Sequence, residues 1–335
     1  MIRYILRRLL LLVPVLVGLS MLVFAIARLL PGDPVRLAAG PNATAADVAS
    51  VAREFGLDQP LPLQYWHYVS GLVRGDWGVS IFSRRPVIED LATYLPATLE
   101  LVLAAMLLAI SIGIPAGLMA AVWRDRWPDF LSRAISLGAI SMPRFFLGLL
   151  FQLGFAMWLG WLPLSGRFPL TEDPPATITG LLTLDALLGG NPHAFAIALQ
   201  HLALPAIAMS LSPLATITRM MRASTIEVLQ QDYVTTERAL GLPARLILFK
   251  YVLKNAVSAT LTVIGLYFGW LLGGTVLVET VFDWPGLGLY ATQAVLTQDF
   301  MPIIGVTLCI GTLFVLVNLL VDLIYGLLNP RVRLR

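Results

Sequence analysis

The sequence predicts an all-α protein that crosses a lipid bilayer several times, and three observations carry that prediction. Of 335 residues, 58% are hydrophobic and 13% charged, against roughly 25% charged in an ordinary soluble domain. With a mean hydropathy of +0.80, the apolar side chains exceed what one core can hide from water. Basic residues also gather at particular ends of the apolar runs, so the formal charge of +3 reports topology rather than nucleic-acid binding.

A helix needs about 20 apolar residues to cross a core of roughly 30 Å. Six runs reach that length: Leu9 to Ala27, Thr98 to Trp123, Ala134 to Gly160, His201 to Thr218, Val257 to Val278 and Pro302 to Leu328. The first could be a cleavable signal, since Arg3, Arg7 and Arg8 precede it and Ala25-Ile26-Ala27 ends it. Its length exceeds the usual apolar region of about 7 to 15 residues, and Arg28 follows at once, so it is expected to stay as a span covering 9–29.

The segment 30–97 is expected to lie outside with structure of its own. Pro31-Gly32-Asp33-Pro34 is a turn that stops the first span, and Thr44 with Asp47 starts a helix carrying Val48, Val51 and Phe55 until Gly56 ends it. Tyr65-Trp66-His67-Tyr68 and Trp77 either rest at the membrane surface or pack this segment against the spans.

Orientation follows from Lys and Arg near the span ends. One side receives Arg3, Arg7, Arg8, Arg124, Arg126, Arg133, Arg219, Arg222, Arg238, Arg245, Lys250, Lys254, Arg331, Arg333 and Arg335, while the two shorter loops opposite carry only Arg167. Both termini, 1–8 and 329–335, are therefore expected in the cytoplasm. The region 98–328 forms a five-helix core interrupted by a charged cytoplasmic segment, 219–254. There Gly241-Leu242-Pro243 separates two short helices, because Gly ends a helix and Pro starts the next. Such a segment is either a docking surface or a solvated connector.

Arg144, after Ser141-Met142-Pro143, is the charged residue placed well inside a span. Along a continuous helix it lies about 16 Å from Arg133, near mid-depth. A cation there faces a water-filled path, where it meets an anionic group, or pairs with a neighbouring chain. Pro143 opens the local helix and leaves carbonyls to line the same path.

Several chemistries are excluded. No glycine-rich loop followed by Lys and Ser or Thr is present, so ATP is hydrolysed, if at all, by another chain. No His-Glu-x-x-His or Gly-x-Ser-x-Gly occurs. Cys309 stands alone and His67, His193 and His201 lack ligand spacing, so no metal site is expected. An ion-coupled transporter is the alternative, but Glu100, Glu279 and Asp322 lie near span ends rather than centres. Asn318 and Asp322 share one face of the last span and suit bonds to neighbouring helices.

The run Asp232-Tyr233-Val234-Thr235-Thr236-Glu237-Arg238-Ala239-Leu240-Gly241-Leu242 resembles the cytoplasmic loop of binding-protein-dependent ABC importer permeases, in particular the first permease subunit of dipeptide, oligopeptide and nickel systems. Arg222, Glu227, Val228 and Leu229 fit upstream. So do Leu30 to Pro34, Gly56 to Leu61 with Gln64-Tyr65, Gly75-Asp76-Trp77-Gly78, Leu95 to Glu100, Val278 to Phe282, Trp284 to Gly288, and Asn318 to Asp322. Thr235, Glu237 and Leu240 depart from the pattern, where Arg, Ala and Lys are usual, and make the loop more acidic.

The resemblance implies a type I ABC importer permease fold in a bacterial inner membrane. It implies a second homologous permease, two ATPase subunits carrying ATP and Mg, an external substrate-binding protein, and no catalysis or cofactor in this chain. The residues it assigns to ATPase coupling are Arg222, Glu227, Asp232, Tyr233, Arg238, Ala239, Gly241 and Leu242. Ser141, Pro143 and Arg144 are read from the residues alone as the translocation path. The solute is a dipeptide, longer peptide, glutathione, opine or nickel chelate, and the long segment from Arg167 to Ala198 disfavours the last.

Overall fold

A computed structural model describes residues 2–29, 44–46 and 59–328, and almost every ordered element among them is helical. In chain order the helices are α1 Ile2–Leu29, α2 Leu61–Arg74, α3 Val87–Val122, α4 Trp127–Ser141, α5 Arg144–Phe151, α6 Leu182–Leu188, α7 Pro192–Leu229 and α8 Asp232–Ala239. Then come α9 Ala244–Gly274, α10 Val276–Phe282, α11 Leu287–Leu296 and α12 Phe300–Leu328. A π-helical stretch, Gln152–Trp158, continues α5, and another, Ile247–Val252, lies inside α9. The turn expected at Pro31 to Pro34 and the segment 329–335 lie outside the described residues, as does the helix expected from Thr44 to Gly56 beyond its start, where Ala45 and Ala46 are helical.

Among the described residues α3, α7, α9 and the Phe300–Val321 part of α12 are each long and apolar enough to cross a membrane. The region expected as one continuous third span departs from expectation: α4 and α5 meet at a bend of 102°. Pro143 is the cause, because its ring disfavours helical geometry in the residue before it, and Met142 is extended at φ −106°, ψ 136°. Counting helical rise from Arg133 to Arg144 therefore gives no depth. The described part of α1 holds the apolar stretch Leu10–Ala25.

The spans are longer than their apolar runs. The 36 residues of α3 and 38 of α7 correspond to more than 50 Å at about 1.5 Å each, so both project beyond the hydrocarbon. Packing is close where α3 offers glycine to α7: a Cβ on Gly117 would lie 2.5 Å from the Thr218 carbonyl oxygen and 2.7 Å from Met221 Cβ. Small residues let helix backbones approach, and lipid supplies no hydrophobic drive to replace that contact. The largest buried cluster joins Leu101, Ala105 and Met106 of α3 with Leu204 and Met209 of α7, Leu271 and Leu272 of α9, and Phe282 and Trp284. Leu107, Trp270 and Leu320 stay exposed, as lipid-facing residues do.

At the Arg-poor end, polar contacts replace apolar ones. Thr98 of α3 donates to Glu279 of α10 (2.7 Å) and accepts from the Leu287 amide (2.8 Å). The other Glu279 oxygen receives the Gly288 and Leu289 amides at 2.6 and 3.0 Å. The indole of Trp284 donates to the Ala97 carbonyl. Two residues along α3, Arg167 grips Glu100 through Nε (2.8 Å) and Nη2 (2.5 Å), and Thr183 donates to the second Glu100 oxygen through its amide and hydroxyl. Tyr65 of α2 bonds Ser20 of α1 (2.8 Å), and Tyr65 and Tyr68 flank Phe24. These two tyrosines thus fasten the segment to the first helix, whereas Trp66 faces outward.

Candidate functional site

The Arg-rich end gathers most of the residues singled out by sequence. α7 runs to Leu229, a two-residue turn follows, and α8 begins at Asp232. The second of the two expected short helices is instead the first turn of α9, so the segment 219–254 is largely the ends of two long helices joined through α8. The short helix is seated by one side chain: Val234 is fully buried and packs with Ile247 and Val252 of α9. Tyr233 adds an anchor, its hydroxyl accepting from Asn255 Nδ2 at 2.9 Å.

Gly-Leu-Pro ends α8 as the sequence requires. The Leu242 amide donates to the Glu237 carbonyl and the Gly241 amide to the Arg238 carbonyl, which is the Schellman closure. It needs a left-handed residue, and Gly241 supplies it at φ +74°. Among the described residues, its two chain neighbours aside, no atom lies within 4 Å of where a Gly241 Cβ would stand, so the space beside it is open. Glu227, Asp232, Tyr233, Arg238 and Ala239 are exposed around it, Leu242 is half-buried, and Leu240 is 71% exposed. Of the three departures, Thr235 and Leu240 point outward and Glu237 is half-buried. The helix is a solvent-exposed knob on a buried apolar base.

Arg222 stands apart from that knob. Its guanidinium turns back into the bundle and clasps Asp129 of α4, Nε to Oδ1 at 2.6 Å and Nη2 to Oδ2 at 2.8 Å. Arg133 approaches the same carboxylate at 3.4 Å, and the Asp125 amide donates to it at 3.0 Å. Sequence reading passed over Asp129. The available signal was an acid among Arg124, Arg126 and Arg133, on the side that also receives Arg222.

At the bend, Arg144 is half-buried, and among the described residues its guanidinium makes no hydrogen bond or ion pair. Nη1 lies 3.0 Å from where a Cβ on Gly274 would be, so the glycine leaves the cation uncovered on that side. On α9 the Tyr267 hydroxyl is 2.8 Å from Thr216 Oγ1 of α7. Ser141 and Pro143 sit beside Arg144, but the Ser141 hydroxyl donates to the Leu137 carbonyl and the Pro143 carbonyl accepts from the Leu147 amide. Both groups are committed within their own segments, which leaves the guanidinium as the polar group able to receive an anion.

The ion-coupled alternative finds no support in Glu100 or Glu279, whose carboxylate oxygens are all occupied by protein donors. The Asp322 side chain lies outside the described residues. Asn318 bonds within its own helix, to the Phe314 carbonyl. No group of three metal-ligating side chains occurs among the described residues.

Residues 113–334 match the family described as binding-protein-dependent transport system inner membrane component, and residues 1–102 match the N-terminal region of such membrane components. Over 321 residues, 96% of this chain and 94% of the relative, it is 46% identical to the Escherichia coli protein named "Probable D,D-dipeptide transport system permease protein". It is 42% identical to a dipeptide transport system permease protein of Alkalihalophilus pseudofirmus, covering 99% of this chain and all of that one. A glutathione transport system permease protein of Escherichia coli is 40% identical over 99% of both chains.

Proposed function

The chain belongs to the binding-protein-dependent transport system inner membrane components and is a non-catalytic permease subunit of an ABC importer; on that premise we propose how its parts divide the work. The exposed knob α8 is the contact for an ATP-hydrolysing subunit, and this single observation carries the reading. A helix with one buried residue, open space at Gly241 and outward Tyr233, Leu240 and Arg238 is a surface lacking its partner. Two ATPases and a second homologous permease complete the transporter, with ATP and Mg held by the ATPases. The Arg-rich end, both termini included, faces the cytoplasm. Six crossings result if α1 and the bent pair α4–α5 each count as one beside the four long helices.

The solute is a small peptide or peptide-like molecule handed over by an external binding protein, in keeping with the dipeptide and glutathione relatives. Such solutes carry a carboxylate, and the uncovered Arg144 guanidinium offers it a transient contact beside the bend. Reconstitution of the complete transporter in proteoliposomes with its binding protein tests the function. ATP supplied on the α8 side drives accumulation of radiolabelled D-alanyl-D-alanine, L-alanyl-L-alanine or glutathione. Accumulation that tracks an ion gradient and ignores ATP would refute it. Orientation is checked in a Cys309→Ser background, where a cysteine replacing Thr235 resists an impermeant thiol reagent applied outside intact cells; strong labelling there overturns the assignment.

A further inference from the structure

We propose that Asp129 is a positioning residue of transport, linking the ATPase-facing end of α7 to the bend that carries Arg144. The inference rests on the importer reading above. Asp129 is fully buried, and both its oxygens are taken by Arg222. A fork of two parallel charge-assisted bonds fixes orientation as well as distance, so α4 follows α7 in rotation and not only in translation. Separating the pair would leave a buried charge without its partner, which is strongly unfavourable. The joint therefore holds while the helices move.

The rest of α4 favours a lever. Phe130, Leu131, Ile135 and Leu137 are exposed apolar side chains, and among the described residues the side-chain ion pair from α4 to α7 is that of Asp129 with Arg222, with Arg133 of α4 itself beside it. Twelve residues separate Asp129 from Ser141 at the far end of α4, an arm of roughly 18 Å. There the extended Met142 and Pro143 form a pivot. Arg222 itself lies on the same helix end that leads through a short turn into α8. A displacement at α8 passes through Arg222 and Asp129 into α4, and is delivered at the pivot beside Arg144.

The test uses the complete transporter in proteoliposomes, with Ser141→Cys in a Cys309→Ser background reporting on the pivot. Its reactivity toward a maleimide is compared without nucleotide and after trapping with ATP, Mg and vanadate. The expected nucleotide response is about tenfold. Asp129→Asn lowers it severalfold without removing it while the ATPases remain bound and hydrolyse ATP, and Arg222→Gln does the same to the response. Combining the two loses no more than either alone, since both act through one contact. A response unchanged in Asp129→Asn overturns the proposal, as do additive losses, or variants that both fail to assemble and so show Asp129 to serve the fold alone. Absence of ATP-driven uptake in the parent refutes the importer reading instead, whereas uptake without a response at position 141 refutes the lever.

Discussion

Two buried carboxylates, one at each end of the bundle, are satisfied in opposite ways. Glu279 at the Arg-poor end receives only neutral donors: the Thr98 hydroxyl and the backbone amides of Gly288 and Leu289. Asp129 at the Arg-rich end is met by the long side chains of Arg222 and Arg133. Backbone amides belong to the chain path and cannot be repositioned without refolding it. The Arg222 side chain reaches across from α7 to α4 and can keep its grip as those helices shift. The neutral knot suits a part that stays fixed, and the charged clasp suits a part that moves.

The largest effect is expected from breaking the fixed end. Glu279→Ala strands the Thr98 hydroxyl, the buried Gly288 amide and the half-buried Leu289 amide, at about 1–3 kcal/mol for each buried unsatisfied group. Gly288→Ala meets the backbone itself, since its Cβ would lie 2.6 Å from Val276 Cα and 2.9 Å from Glu279 Oε2. Both variants should lose the monodisperse peak of the assembled complex in size-exclusion chromatography and melt well below the parent. Normal assembly of Glu279→Ala would erase the distinction between the two ends.

Next in size is the knob. Gly241→Asp should leave this chain in the membrane but release the ATPases and stop uptake, because the open space at Gly241 is read as the partner's. Gly241→Asn should keep the α8 ending, since Asn tolerates the left-handed conformation, and it separates the demand of the turn from that of the partner. Co-purification of both ATPases with full uptake in Gly241→Asp would remove the docking role.

How far the sequence carried these conclusions differs between the ends. Long apolar runs announced the spans because bilayer thickness demands them, and the structure adds that α3 and α7 continue as helices through polar residues past those runs. Gly241-Leu242-Pro243 was legible as punctuation because left-handed geometry selects glycine locally. The residues after it, from Ala244 onward, open the long helix α9, a start that Pro permits as readily as that of a short helix. Pro143 was visible as a break, but the 102° turn depends on packing against α7 and α10. The Asp129–Arg222 clasp joins residues 93 apart, and no local rule pairs them. Glu279 was noted as lying near a span end, while its partner Thr98 is 181 residues away.

A smaller and more selective effect is expected at the bend between the two ends. Arg144→Met keeps the bulk and removes the charge. The assembled complex should retain ATPase stimulation by the binding protein and lose about tenfold or more in uptake, the scale of losing one charge-assisted bond. A complex that falls apart would place Arg144 in the contact with the second permease, and unchanged uptake would remove it from the path.

The smallest effect concerns pH, and it sharpens the contrast from the Arg-poor side. Asp185 of α6 is buried beside the loop that holds Arg167, and burial alone would push its carboxyl upward. Hydrogen bonds from the Thr179 hydroxyl and amide and from the Gly180 amide outweigh that and hold it below the usual carboxylate range. A depressed folded value means the stabilisation is fully present above the unfolded carboxylate range and is lost only as pH falls through the lower, folded one. Proteolysis of the segment 161–191 in the purified complex should therefore be as slow at pH 5 as at pH 7.5. Asp185→Asn should make it faster at both, by an amount reflecting about 1 kcal/mol. Cleavage that accelerates between pH 7.5 and 5 in the parent alone would show that the carboxylate is lost well above its expected range, and the neutral-donor end would then yield to mild acid.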